Sequence, residues 1–140
     1  MKTNQRGMTI VEVLVAVFII TIGLVAIATG MQIATSGVAT GQQQTTAAFL
    51  AEQRLEVIKA FALSTGSGQG WANVSSTAFP AEAYNSITSY PTYRRSTTIT
   101  SPTATTKRIT VDVFWFPVGV SSTTNAERSV TVSVVLTPRI

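Results

Sequence analysis

Neither cysteine nor histidine occurs among the 140 residues. Without thiols there is no disulfide staple and no thiolate metal site. Without imidazole as well, a zinc site of the usual ligands and a histidine-based triad are excluded within one chain. Charge is also scarce, at 11% of residues. No catalytic constellation emerges from what remains. Asp112 faces away from the apolar side of its strand, Glu82 lies in a loop, and nothing in the pattern brings them together. The chain therefore reads as non-enzymatic, with no cofactor or metal site. The missing cysteines leave an extracytoplasmic home open.

What the chain has in abundance is apolar surface: 45% hydrophobic residues and a mean hydropathy of +0.32. The excess is concentrated at the front, and the length allows one domain plus a membrane segment. Met8–Ala28 gives a span long enough for a hydrocarbon core of about 30 Å. Lys2 and Arg6 precede it and the next basic residue is Arg54. The positive-inside rule then places the N-terminus in the cytoplasm and the remainder outside. The formal charge of +4 falls to +2 without Lys2 and Arg6, so the pI near 10.0 is weak support for a nucleic-acid partner.

Glu12 is the only charged residue between Arg6 and Glu52. A carboxylate near the centre of a membrane helix costs about 2.5–3.5 kcal/mol on insertion scales. A plain anchor or a secretory signal would gain by having Leu there. An uncompensated Glu12 suggests that a positive charge comes to meet it. A secretory signal ending at Ala26-Ile27-Ala28 and a single-pass anchor are the simpler alternatives. Sequencing the mature N-terminus separates the three, at Met8, Thr29 or Met1.

The short basic leader ending in Gly7, the apolar Met8, Glu12 five residues after Gly7 and the apolar helix to Ala28 resemble the N-terminus of the type IV pilin and pseudopilin superfamily. The resemblance implies cleavage after Gly7 by an inner-membrane prepilin peptidase and N-methylation of Met8. It also implies assembly with other pilins into a filament, through an inner-membrane platform and its ATPase. Glu12 becomes the assembly residue. Met8 stands where Phe is usual, and Thr29 where many major pilins carry a helix-kinking Pro. Ile22-Gly23-Leu24 and Ala51-Glu52-Gln53-Arg54-Leu55-Glu56 are similar to V-type minor pilins and I-type pseudopilins. The location implied is the inner membrane before assembly and a surface or periplasmic filament afterwards.

Ala16, Gly23, Gly30 and Gly37 recur every seven residues on one helix face, where small residues let helix backbones approach closely. Residues 29–46 are otherwise polar and small, with poor helix propensity. From Ala47, an apolar stripe through Ala51, Leu55, Ile58 and Ala62 marks an amphipathic helix, with Leu50 and Phe61 at its margin. Glu52, Arg54, Glu56 and Lys59 read as its solvated face. The Gly-rich Ser64–Gly70 ends the helix; no Lys-Ser/Thr follows, which argues against a phosphate loop.

Residues 71–106 are rich in Ser, Thr and Pro, and their scattered aromatics pin a long loop onto the helix or sheet. Arg94-Arg95 and Lys107-Arg108 read as exposed sheet-edge charges. Lys107–Phe116 and Ser129–Thr137 alternate as strands, with Ile109, Val111, Val113, Trp115 and Val130, Val132, Val134, Leu136 on the apolar side. Arg94–Thr100 is a third candidate. The fold expected is α+β: a long N-terminal helix, transmembrane in its first half, packed on a small antiparallel sheet as in pilins. The layout is a leader at 1–7, an assembly helix at 8–34 and a head at 35–140. Within the head lie a helix at 45–63, a loop at 64–106 and the sheet at 107–137. A different class of function is a membrane-anchored or secreted binding domain that uses the aromatic loop at 71–93 and does not polymerise.

Overall fold

The computed structural model describes residues 8–117 and 126–138. One helix, α1 (Ile10–Leu63), is followed by a short 3-10 turn (Trp71–Asn73) and three strands. These are β1 (Tyr93–Thr103), β2 (Thr106–Trp115) and β3 (Arg128–Leu136). The strands form an antiparallel meander in the order β1-β2-β3. The expected α+β class is thus observed, but the sheet begins at Tyr93 and not at 107: β1, the third candidate at Arg94–Thr100, occupies the end of the stretch assigned to the loop, because Tyr93, Arg95 and Thr97 alternate inward against β2.

The chain divides into two compact units, one ending at Ala39 and one beginning at Thr40. In the first, α1 continues through the Gly- and Thr-rich stretch that helix propensity disfavours. Propensities are measured in water. In an apolar medium a backbone that leaves the helix loses hydrogen bonds it cannot replace. The threonines are absorbed as well: Thr29 and Thr35 donate from Oγ1 to the carbonyls of Val25 and Met31, four residues earlier, at 2.6 and 3.0 Å.

In the second unit, α1 buries Ala47, Leu50, Ala51, Leu55 and Ile58 against the sheet. Leu50 is fully buried rather than marginal. The sheet contributes Ile109, Val111 and Val113, all without exposure, and Trp115. Each such side chain stabilises the fold by about 1.5–3 kcal/mol. The helix ends where Gly70 folds its N–H back to the Phe61 carbonyl at 3.0 Å. Gly70 has φ 95°, and a Cβ there would lie 3.2 Å from the Ser64 carbonyl oxygen. Only glycine takes that conformation freely.

The loop before β1 is held as a layer over the helix. Phe79 is buried edge-on to Phe61 at 5.1 Å between centroids. Tyr84 stacks on Phe116 at 5.4 Å, and the Tyr93 hydroxyl donates to the Gln43 carbonyl at 3.2 Å.

Three charge assignments need correction. Arg95 is not an exposed edge charge: it is buried, donating to Glu82 Oε2 at 2.5 Å and to the Leu50 carbonyl at 2.7 Å. Arg54 leaves the solvated face to donate to the Pro80 carbonyl at 3.0 Å, and lies 3.6 Å from Glu82. Lys107 donates to the carbonyls of Trp71 and Val74 at 2.8 and 2.7 Å. In each case an irregular segment has backbone carbonyls or a carboxylate to satisfy, and the long cationic side chain reaches them. Arg108 is exposed, as expected, and so are Glu52 and Glu56.

Candidate processing and assembly site

Thr9 begins α1. Its carbonyl accepts the Val13 N–H at 3.2 Å, and its Oγ1 accepts the Glu12 N–H at 3.3 Å. Thr9 is therefore the N-cap, and Glu12 is the third residue of the first turn. Thr-x-x-Glu is the sequence form of a capping box. Sequence reasoning assigned Thr9 no role, although the signal was present in that spacing.

The same position suits a carboxylate electrostatically, because the first turn carries the positive end of the helix dipole. Glu12 nevertheless has no side-chain partner among the described residues. The carboxylate stands exposed in a stretch, Ile10 to Ile20, whose other side chains are apolar. Gly7, Lys2 and Arg6 lie outside the described residues, as does the whole leader at 1–7.

From Met8 to Val38, every Met, Ile, Val, Leu and Phe side chain is exposed, at 47% to 80% of its surface. A helix that is apolar all round is stable only when something else covers it. The helix contains a stretch long and apolar enough to cross a membrane. Ala16 is half-buried, and a Cβ at Gly23, Gly30 or Gly37 would meet nothing within 4 Å. These four small residues leave the helix surface low and open, and the three glycines meet no packing partner among the described residues.

In the second unit, charged groups are organised in two places. Glu82 joins Arg54 and Arg95. Burial pulls the Arg54 guanidinium below its ordinary value, with Glu82 opposing and Arg95 adding to the effect. On the outer face of the sheet, Arg94 clamps Glu127 with Nε and Nη2, both at 2.6 Å. Its guanidinium lies 3.8 Å from the Phe114 ring centroid. Tyr84 donates to Glu127 Oε1 at 2.6 Å. The Arg94 hydrogen bond holds the Glu127 carboxyl below its usual range, while burial, then Glu127, push the Tyr84 phenol up to about 12. Both clusters tie loops to strands, and Glu127 also lines a hollow with Gln44, Trp115 and Arg128. Among the described residues no group of His, Cys, Asp or Glu is placed to hold a metal ion.

Residues 2–28 match the prokaryotic N-terminal methylation motif. No curated protein and no solved structure matches the chain. The motif marks a substrate of prepilin peptidase, and it ends within the stretch that the structure shows as an exposed apolar helix. By these residues the chain is a type IV pilin- or pseudopilin-like prepilin.

Proposed function

We propose that the chain is a structural subunit, of the minor-pilin kind, of a type IV pilus or a related pseudopilus. The observation that carries this is the uncovered helix from Met8 to Val38 with Glu12 unpartnered in its first turn. Cleavage between Gly7 and Met8 frees an amino group beside Glu12. The ammonium, unwelcome at the positive end of a helix dipole, is met by that carboxylate within one subunit or between neighbours. In the membrane the apolar surface is covered by lipid, and in a filament by other helices. The low face at Ala16, Gly23, Gly30 and Gly37 brings those helices close. The topology is N-terminus in the cytoplasm and head outside, with a platform and its ATPase performing extraction.

The aromatic loop favours no separate binding role, since Phe79 and Tyr93 are buried and Tyr84 is stacked. The test is to shear filaments from cells and identify peptides by mass spectrometry. An N-methylated peptide beginning at Met8 supports the reading. A chain found only in membranes, uncut or beginning at Thr29, overturns it.

A further inference from the structure

β3 is the least covered strand. The inward residues of β2 have at most 3% exposure, whereas Val130, Val132, Val134 and Leu136 are all half-buried. The cause is where α1 is tied. Its carbonyls at Gln43 and Leu50 accept from Tyr93 and Arg95, and Arg54 reaches Thr97, all on β1. The helix therefore lies over β1 and β2, and β3 overhangs. Three hollows of about 520, 370 and 620 Å³ follow the seam between α1 and β3. They set Gln44 beside Arg128, Leu55 beside Val132, and Leu63 beside Leu136. The groove thus runs the length of β3, and α1 and β3 run in the same direction.

Among the described residues nothing pairs with the outer edge of β3. Its register with β2 is unbroken from Arg128 to Leu136, and it makes no other backbone hydrogen bond among the described residues. Edges are usually blunted by Lys, Pro or a bulge, and Ser129–Leu136 has none of these. The edge of β1 differs. Glu82 and Arg95 exchange two backbone hydrogen bonds at 2.8 Å, and Ile99 N–H donates to Ser76 Oγ at 3.1 Å. The helix wall of the groove also carries spare negative charge. Glu56 pairs with Lys59 at 2.7 Å, while Glu52 has no ion-pair partner among the described residues.

An open backbone edge beside a floor of alternate valines fits a strand, whose N–H and C=O groups extend the ladder while every second side chain enters the floor. Those side chains must be apolar opposite Val132 and Val134, with a basic one near Glu52. A second copy fits poorly. Its own Ser129–Leu136 carries no basic side chain to meet Glu52 in antiparallel pairing. Parallel pairing would turn the two inner faces to opposite sides. We propose that the β3 groove docks an extended basic–apolar segment of a different protein by strand addition. The groove lies wholly within the second unit and does not rest on the membrane reading above.

The test uses the full-length ¹⁵N-labelled chain in detergent micelles. The probe is an acetylated nine-residue peptide alternating valine with threonine and lysine, with a glutamate-for-lysine version as control. In the free chain, alternate β3 amides exchange quickly with solvent. Saturable shifts then appear on Ser129–Leu136 and Glu52–Lys59. Glu52→Lys weakens the affinity about fivefold, and the glutamate peptide binds more weakly by at least that factor. Val134→Thr, which keeps the strand, also weakens it. Slow exchange of every β3 amide in the free chain would show the edge already covered and overturn the proposal. So would shifts mapping elsewhere, equal binding of the two peptides, or β3 shifts that follow protein concentration alone, which would mean self-pairing. Filament composition is independent of all these readouts, so failure here is distinguishable from failure of the pilin reading.

Discussion

Arg95 donates from Nε to Oε2 of Glu82 at 2.5 Å, and the same two residues exchange backbone hydrogen bonds at 2.8 Å in both directions. The loop before β1 is thereby fixed to the strand by main chain and side chain at one point. Arg54 joins from α1, so helix, loop and strand meet at a single carboxylate.

Removing that carboxylate strands two guanidinium groups, one of them buried. Breaking a buried pair from one side costs about 3–5 kcal/mol, and the partial exposure of Glu82 places Glu82→Ala near the low end. Denaturant titration of a chain starting at Thr35 should show this loss. Arg54→Ala costs less, because Arg95 keeps its partner. Equal stability of Glu82→Ala and the unaltered chain would show the cluster to be energetically idle.

The strands and their faces were legible because alternation has a period of two and is strict over residues 109–113 and 130–134. The helix stripe was legible for the same kind of reason, at period 3.6. The charge clusters were not. Alternation does place Arg95 on the inner face with Tyr93 and Thr97, but residue type argued outward. Its partner Glu82 sits in a segment without periodicity, so nothing in the sequence announced the pair. Glu127 and Arg94 are likewise joined only by folding. Glu12, proposed above for assembly, was the most conspicuous residue of the sequence, because a lone acid in an apolar run stands out without any tertiary information.

The outer-face cluster has a spectroscopic signature. Burial and the Glu127 carboxylate raise the Tyr84 phenol to about 12. Phenolate absorbance of a chain starting at Thr35 should contain a component titrating near that pH, and Tyr84→Phe should remove it. A raised folded value means the contribution is intact below the ordinary tyrosine range and is lost as pH rises through about 12. Glu127 runs the other way. Its lowered value gives a contribution present above the usual carboxylate range and lost as pH falls through the folded value. Arg94→Ala, which removes the first cause of that lowering, should flatten the acid limb of a stability–pH profile.

Processing and assembly separate by mutation. Gly7→Val places a branched side chain where the peptidase must approach the backbone, so uncut precursor should accumulate in the membrane. Glu12→Val keeps the proposed cleavage site and removes the partner proposed for the new amino group. It should be cut and inserted, yet enter sheared filaments at a small fraction of the unaltered level in a strain lacking the normal copy. Normal incorporation of Glu12→Val would end the pairing argument.

The sheet also predicts a ranking that depends on where the helix lies. Val111 and Val132 are direct partners across β2 and β3. Both face inward, so alternation alone treats them alike. Val111 is fully buried under α1 and Val132 is only half-buried beside the groove. An Asp at 111 brings an unpaired carboxylate into the core, where the penalty is several kcal/mol. It should unfold a chain starting at Thr35 outright. An Asp at 132 can turn its carboxylate toward the groove and keep much of its hydration, so that variant should remain folded with a loss of about 1–2 kcal/mol. Leu55→Asp, at 5% exposure, should behave like the Val111 variant. Circular dichroism melts of the three read the order directly. Unfolding by Val132→Asp as complete as by Val111→Asp would mean that β3 is covered in solution, and the open groove would have to be abandoned with it.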